Sequence, residues 1–197
     1  TNMDSPLGSA VGNSLEVIES VEILKGKTSG NLWTVCRELS CRMLMLAGIG
    51  DKDECGRLVD EAVESGEALM RFEMMVKLQG GDVSYIEDTS KFRKASFSRE
   101  VYAPADGYIT HMDSEKIGLT AVLLGAGREK KDDDINHAAG IIIAAKTGDF
   151  VKRGELLATL FADDESRLDG AESRYLFAVS IGDKKPAEQP MILDYID

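Results

Sequence analysis

The stretch from Met3 to Glu19 reads MDSPLGSAVGNSLEVIE and joins a turn-rich loop to the start of a helix. Pro6 biases the residue before it toward extended backbone, so the loop cannot continue a helix. Asn13 stands where a helix N-cap is expected, and Glu16, three residues later, can bond back to the cap. The apolar residues that follow at helical spacing predict a helix that ends at about Gly26.

Glu19 lies one turn beyond Glu16 on the same face of this predicted helix. If Glu16 caps the helix, the Glu19 carboxylate and nearby loop carbonyls form an oxygen-rich pocket of the kind that hard cations prefer. The alternative is that Glu19 is an ordinary solvated residue, which is the commoner situation for a glutamate on a helix. The spacing by itself leaves both interpretations open.

The composition is that of an acidic globular chain. Its 197 residues are 43% hydrophobic and 29% charged, with a net charge of −12. This charge, without a basic cluster, argues against nucleic acid and anionic membranes as partners, and the sequence contains no long apolar run or signal peptide. The three cysteines, Cys36, Cys41 and Cys55, are expected to be reduced, which favours a cytoplasmic location.

A change of hydrophobic pattern near residue 95 predicts a domain boundary, with domains over residues 1–95 and 96–197. Before it, apolar periodicity predicts helices over residues 13–25, 31–47, 51–64 and 67–78. After it, we expect strands at 101–104, 108–110, 140–145 and 177–181, helices at 117–124 and about 162–171, and an edge strand at 191–196. The expected fold is therefore mixed, α/β and α+β.

Three motifs resemble the thymidine and pyrimidine-nucleoside phosphorylases, in the same order along the chain. They are MDxPLGxAxGNxLEV from Met3, MVxxQGGD from Met75, and LGAGR from Leu124 with the segments AGI, KxGDxV and GExLA that follow it. The chain is thus similar to the C-terminal part of these enzymes over nearly its whole length. The resemblance implies that an N-terminal half with the phosphate loop and the base-binding residues lies outside it.

The resemblance also implies a fold and a reaction. Residues 1–95 would be the closing helices of the phosphate-binding α/β domain, and residues 96–197 a C-terminal α+β domain of the α/β-hammerhead type. In the reaction, inorganic phosphate attacks C1′ of a pyrimidine nucleoside and releases the free base and an α-pentose 1-phosphate. The resemblance implies a homodimer and assigns no catalytic or substrate-binding residue to this chain. We therefore expect the isolated chain to be inactive, and the preference between uridine and thymidine stays open.

The resemblance implies one site within this chain, for a potassium-like cation. In such enzymes two loop carbonyls and a helix glutamate hold the ion, and at the matching spacing these belong to Leu7, Ala10 and Glu19. The remaining ligands would come from the phosphate loop outside the chain. The ion would tie that loop to this one and so support phosphate binding.

One departure from the family's pattern lies at Ile135-Asn136, where the family usually has Ile-Asp. An amide lacks the charge of a carboxylate. A salt bridge made by the family's aspartate is therefore in doubt in this chain, and Asp134 is the candidate substitute.

The alternative function is that of a carrier module. Residues 146–157, together with Ala103-Pro104 and Gly107, also resemble biotinyl and lipoyl carrier domains and predict a β-hairpin. Such modules need an exposed lysine in a Met-Lys-Met or Asp-Lys-Ala sequence, and neither tripeptide occurs in the chain. We interpret the similarity as shared β-hairpin architecture.

Overall fold

The computed structural model describes residues 1–128 and 130–196, and its fold is mixed helix and sheet, as predicted. The chain forms two compact units. The helical unit contains residues 18–91 with residues 1 and 191–196, and the C-terminal unit contains residues 2–17 and 92–190. The predicted boundary near residue 95 lies beside the division at 91/92, whereas residues 2–17 group with the C-terminal unit because they pair with one of its strands.

The four helices predicted before residue 95 begin and end within one or two residues of the predicted positions. They are α1 (Asn13–Leu24), α2 (Gly30–Leu46), α3 (Lys52–Glu64) and α4 (Glu67–Leu78), followed by the short α5 (Ser84–Glu87). The Asp51 carboxylate caps α3 by accepting from the Glu54 N–H at 2.9 Å. The Arg37 guanidinium joins α2 to α3 through two bonds of 2.6 Å to the Asp60 carboxylate.

The prediction of an edge strand over residues 191–196 is wrong. These residues form no strand within the described part of the chain. Met191 is buried, and the Tyr195 ring centroid lies 3.9 Å from the Arg42 guanidinium carbon on α2. Side-chain contacts with a helix therefore hold this segment, and its backbone does not extend a sheet.

Two antiparallel sheets form the C-terminal unit. The four-stranded sheet has the order β1-β4-β6-β2, and the three-stranded sheet has the order β5-β3-β7. The elements are β1 (Ala10–Val11), β2 (Phe97–Tyr102), β3 (Gly107–Met112), α6 (Ser114–Leu124), β4 (Gly140–Ile143), β5 (Phe150–Val151), β6 (Leu156–Ala162), α7 (Ser166–Ala178) and β7 (Val179–Gly182). One apolar core joins both sheets to α6 and α7.

Two sequence-based expectations fail in this unit. The predicted hairpin over residues 146–157 does not form, because β5 pairs with β3 while β6 pairs with β2 and β4 in the other sheet. The helix predicted at about residue 162 begins only at Ser166. Ala162 is still paired with Phe97 in β6, and the Asp163 carboxylate accepts from the Ser96 N–H at 2.8 Å.

Within the described residues, no helix is both long and apolar enough to cross a membrane.

Candidate functional site

The loop that carries Leu7 and Ala10 is attached to the edge of the four-stranded sheet. The Ser9 carbonyl accepts from the Ile143 N–H at 2.7 Å, and Ala10 lies opposite Ile142 in the antiparallel register. Because backbone carbonyls alternate in direction along a strand, the Ala10 carbonyl points away from β4. β1 is the outer strand of this sheet.

Two glycines allow this attachment. Gly12 has φ of +139°, and a Cβ there would lie 2.5 Å from the Ala139 carbonyl oxygen. Gly140 has φ of +152°, and a Cβ there would lie 2.3 Å from the Val11 carbonyl oxygen. Any side chain at either position would force β1 away from β4. The glycines of the first and third motifs therefore serve one close backbone crossing.

The start of α1 differs from the prediction by one residue. Asn13 is the first helical residue, and its side chain donates to the Ala126 carbonyl at 2.9 Å. The Glu16 carboxylate accepts from the Gly12 N–H at 2.9 Å. The capping role of Glu16 is thus confirmed, whereas Asn13 is wrong as the cap because the Gly12 carbonyl already accepts from the Glu16 N–H. The Asn13 amide instead joins the first motif to the LGAGR motif.

The three predicted cation ligands lie as follows. Ala10 is buried and Leu7 is exposed, both in the C-terminal unit, while Glu19 is half-buried on α1 and is counted with the helical unit. Among the described residues, no group of three or more His, Cys, Asp or Glu side chains is arranged to hold a metal ion. A set of two carbonyls and one carboxylate is a different kind of site, and this ligand set stays a prediction.

Lys146 contacts this loop, although sequence reasoning assigned it no role. Its ammonium donates to the Gly8 carbonyl at 2.9 Å, across 138 positions of sequence. The KxGDxV motif is the signal that marked Lys146, but the motif does not reveal the partner. The structure places a cationic group on the Gly8 carbonyl, one of the two carbonyls that lie between those of Leu7 and Ala10.

Asn136, which stands where the family usually has an aspartate, lies beside an ion pair between Arg93 and Asp163. Arg93 donates to the Asn136 side-chain oxygen and to the Asp163 carboxylate, each at 2.6 Å, and the Asn136 amide donates to Asp163 at 2.9 Å. The pKa of Asp163 lies well below its usual range. The hydrogen bond from Arg93 is the largest cause, and the hydrogen bond from the Ser96 N–H is the second largest. The carboxylate that pairs with Arg93 beside Asn136 is therefore that of Asp163, and not that of Asp134.

Comparison with known proteins agrees with the motifs. Residues 108–182 match the family model described as the pyrimidine nucleoside phosphorylase C-terminal domain. The pyrimidine-nucleoside phosphorylase of Bacillus subtilis (strain 168) is 40% identical over 167 residues, which are 84% of this chain and 39% of the relative. The enzyme of the same name from Geobacillus stearothermophilus is 35% identical over 176 residues, 89% of this chain and 41% of the relative.

A pyrimidine-nucleoside phosphorylase of Staphylococcus aureus (strain USA300) is 35% identical over 184 residues, covering 93% of this chain and 42% of the relative. The chain thus spans only about two fifths of the length of the curated relatives it matches. Within that span the similarity runs almost from end to end. The chain therefore resembles the C-terminal part of the pyrimidine-nucleoside phosphorylases.

Proposed function

We propose that this chain is the C-terminal part of a pyrimidine-nucleoside phosphorylase, a pentosyltransferase. The whole protein would cleave pyrimidine nucleosides with inorganic phosphate to the free base and α-(deoxy)ribose 1-phosphate. The observation that carries the proposal is the 35–40% identity to pyrimidine-nucleoside phosphorylases over 84–93% of the chain. We also propose a homodimer in the cytoplasm, and the three free cysteine thiols fit a reducing compartment.

Within that enzyme, the two predicted domains of this chain would have different tasks. We assign residues 1–95 to the phosphate-binding α/β domain and residues 96–197 to a C-terminal domain of the α/β-hammerhead type. The two antiparallel sheets packed with α6 and α7 support the second assignment. Positioning of phosphate and stabilisation of charge on the departing base would come from residues outside this chain.

The contribution of this chain would be a potassium site made by the carbonyls of Leu7 and Ala10 and the carboxylate of Glu19. Two observations support it. Leu7 and Ala10 lie on one short loop at the outer strand of the four-stranded sheet, and Glu19 lies on α1, the helix that this loop enters. Carbonyl and carboxylate oxygens suit a hard cation. The bound ion would supply positive charge that connects this loop to the phosphate loop.

An activity assay tests the main proposal. The 197-residue chain is compared with a joined enzyme, in which the part of the Bacillus subtilis relative that the chain does not cover precedes it. Base release from uridine and thymidine with phosphate is followed by absorbance. We expect turnover on the order of 1 per second from the joined enzyme and none from the chain alone. Turnover of that size by the chain alone would contradict the proposal.

The carrier alternative has its own test. Expression of the chain with biotin ligase or lipoate ligase, followed by intact-mass measurement, should show no added cofactor. Residues 146–157 present no two-stranded hairpin, because β5 and β6 belong to different sheets. A stoichiometric adduct on any lysine would favour the carrier module over the phosphorylase.

The cation ligands are tested by a matched pair of variants in the joined enzyme. Glu19→Gln removes the ligand's charge, and we expect the potassium requirement and the phosphate KM to rise by about tenfold, since a hydrogen bond or contact to a charged group contributes about 1.5–3 kcal/mol. Glu16→Gln keeps an oxygen that can accept from Gly12 N–H, so it should change neither value. If Glu16→Gln altered both values and Glu19→Gln neither, the roles of the two carboxylates would be reversed.

A further inference from the structure

The loop of residues 7–10 is attached to the C-terminal unit at two successive carbonyls. The Gly8 carbonyl accepts from the Lys146 ammonium at 2.9 Å, and the Ser9 carbonyl accepts from the Ile143 N–H at 2.7 Å. The carbonyls on either side of this pair are those of Leu7 and Ala10, the two assigned to the cation. One short segment, from the end of β4 to Lys146, therefore makes both attachments.

Lys146 is itself held in place by the turn that follows it. Its N–H donates to the Asp149 carboxylate at 2.8 Å, and the Asp149 N–H donates back to the Lys146 carbonyl at 3.0 Å. The turn is bonded to β3, because Ile109 exchanges backbone bonds with Gly148 and Asp149 at 2.8 and 2.9 Å. The Lys146 backbone is therefore fixed, and only its partly buried side chain reaches across to Gly8.

The residue at the other end of this contact is a glycine. With no Cβ, Gly8 has the widest choice of backbone angles, so rotation at Gly8 redirects the carbonyls on both sides of it. A charged donor gives a stronger hydrogen bond to a carbonyl than a neutral one. The contact therefore restrains the loop at the residue whose backbone angles are least restricted by steric contacts.

We propose that Lys146 is a positioning residue for the cation site: by holding the Gly8 carbonyl, it sets the directions of the Leu7 and Ala10 carbonyls. This inference rests on the proposed function. A second effect of Lys146 has the opposite sign, because its positive charge repels a nearby cation. Removal of the side chain therefore distinguishes the two: loss of positioning weakens potassium binding, whereas relief of repulsion strengthens it.

The kinetic test compares three variants of the joined enzyme. Lys146→Met keeps much of the side chain's length but removes the donor, and we expect the potassium concentration for half-maximal activity and the phosphate KM to rise by about tenfold. At saturating potassium and phosphate, kcat should stay within about twofold, because no reacting group is touched. Lys146→Arg should recover part of the loss. Lys152→Met, at an exposed lysine in the next turn, should change none of these values.

The second test uses the 197-residue chain itself and does not depend on activity. Amide hydrogen exchange at residues 8–11 should become faster in Lys146→Met and stay unchanged in Lys152→Met, with the amides of β6 as the control for global stability. Unchanged exchange at residues 8–11 in Lys146→Met would overturn the inference, as would an unchanged or lower potassium requirement in that variant.

The two tests also separate this inference from the proposed function. If the joined enzyme needs potassium and Lys146→Met leaves that need unchanged, the inference fails and the cation site stands. If the joined enzyme needs no potassium in any form, the cation site fails and the inference fails with it. Faster exchange in Lys146→Met would then show only that Lys146 holds the loop.

Discussion

The two compact units differ in how they bury their apolar residues. In the C-terminal unit, strands from both sheets and two helices share one core that includes Ile109, Leu160 and Tyr175, all fully buried. In the helical unit the buried apolar residues below residue 91 are few, namely Val21, Val35, Cys41, Cys55, Val63 and Ile86, and α4 buries none of its residues. Regular helices thus form in the helical unit without a core of comparable size.

The helical unit also leaves a large apolar groove open. The groove encloses about 610 Å³ and is lined by residues of α1 to α4, among them Trp33 and Leu58. Leu46 and Leu78 remain 89% and 81% exposed. Exposed apolar area of this kind is uncommon on a self-sufficient domain. The comparison shows that regular secondary structure can form without a closed apolar core. Only the C-terminal unit has both.

The largest expected effect is the difference in stability loss between two leucine variants, one from each unit. Leu160→Ala leaves a cavity in the C-terminal core and should lower the free energy of unfolding by about 2–5 kcal/mol. Leu58→Ala only widens an open groove and should cost about 1 kcal/mol or less. Urea unfolding is followed by circular dichroism and by fluorescence of Trp33, the single tryptophan, which lies in the helical unit. Equal costs would contradict the difference between the units.

A smaller effect compares one ion pair from each unit. Arg93 and then the Ser96 N–H lower the pKa of Asp163, and Arg37 lowers that of Asp60. A carboxyl whose folded pKa is depressed stabilises the protein above its unfolded pKa of about 4, and this contribution is lost as the pH falls through the folded pKa. Both pairs are partly exposed to solvent, which reduces their contribution.

At pH 7, Asp163→Asn should therefore cost about 1 kcal/mol and Asp60→Asn about half of that, because Asp163 has four protein donors, from three residues. Both costs should shrink as the pH falls below about 4. The measurement is the free energy of unfolding in urea at a series of pH values. A cost that stayed constant down to pH 2 would show that the charge of the carboxylate is not what stabilises the fold.

A third effect, of similar size, lies in the helical unit. The Tyr195 ring contacts the Arg42 guanidinium, and such cation–π contacts at exposed sites contribute about 0.5–1 kcal/mol. Tyr195→Ala should lower the free energy of unfolding reported by Trp33 by that amount, while Tyr195→Phe keeps the ring and should cost less than half as much. An equal loss in both variants would assign the effect to the hydroxyl group.

Sequence reasoning predicted the local elements better than their partners. The periodicity of residues 67–78 predicted α4 with the same bounds as the structure. By contrast, β5 and β6 pair in different sheets, and residues 191–196 pack on a helix. Apolar spacing reports which face of a segment is buried, but the segment that covers it is chosen by the whole core.

The same limit applies to the candidate site. The motif identified Gly12, Asn13 and Glu16 as the helix start, and Glu16 does bond to the backbone there. It did not predict that Asn13 would bond to Ala126, or that Lys146 would hold Gly8. These partners are separated by 113 and 138 positions, so no local rule connects them.

The sequence by itself determined the helices, the mixed fold class and the resemblance to the phosphorylases, because these depend on local spacing and on motifs read in order. Only the tertiary structure decided that Gly12 and Gly140 cross at backbone contact, that Asp163 carries the charge beside Asn136, and that Lys146 reaches the loop. The physical reason is that hydrogen bonds and close contacts act over a few ångströms in space. The sequence positions that come so close are chosen by the packing of the whole C-terminal unit.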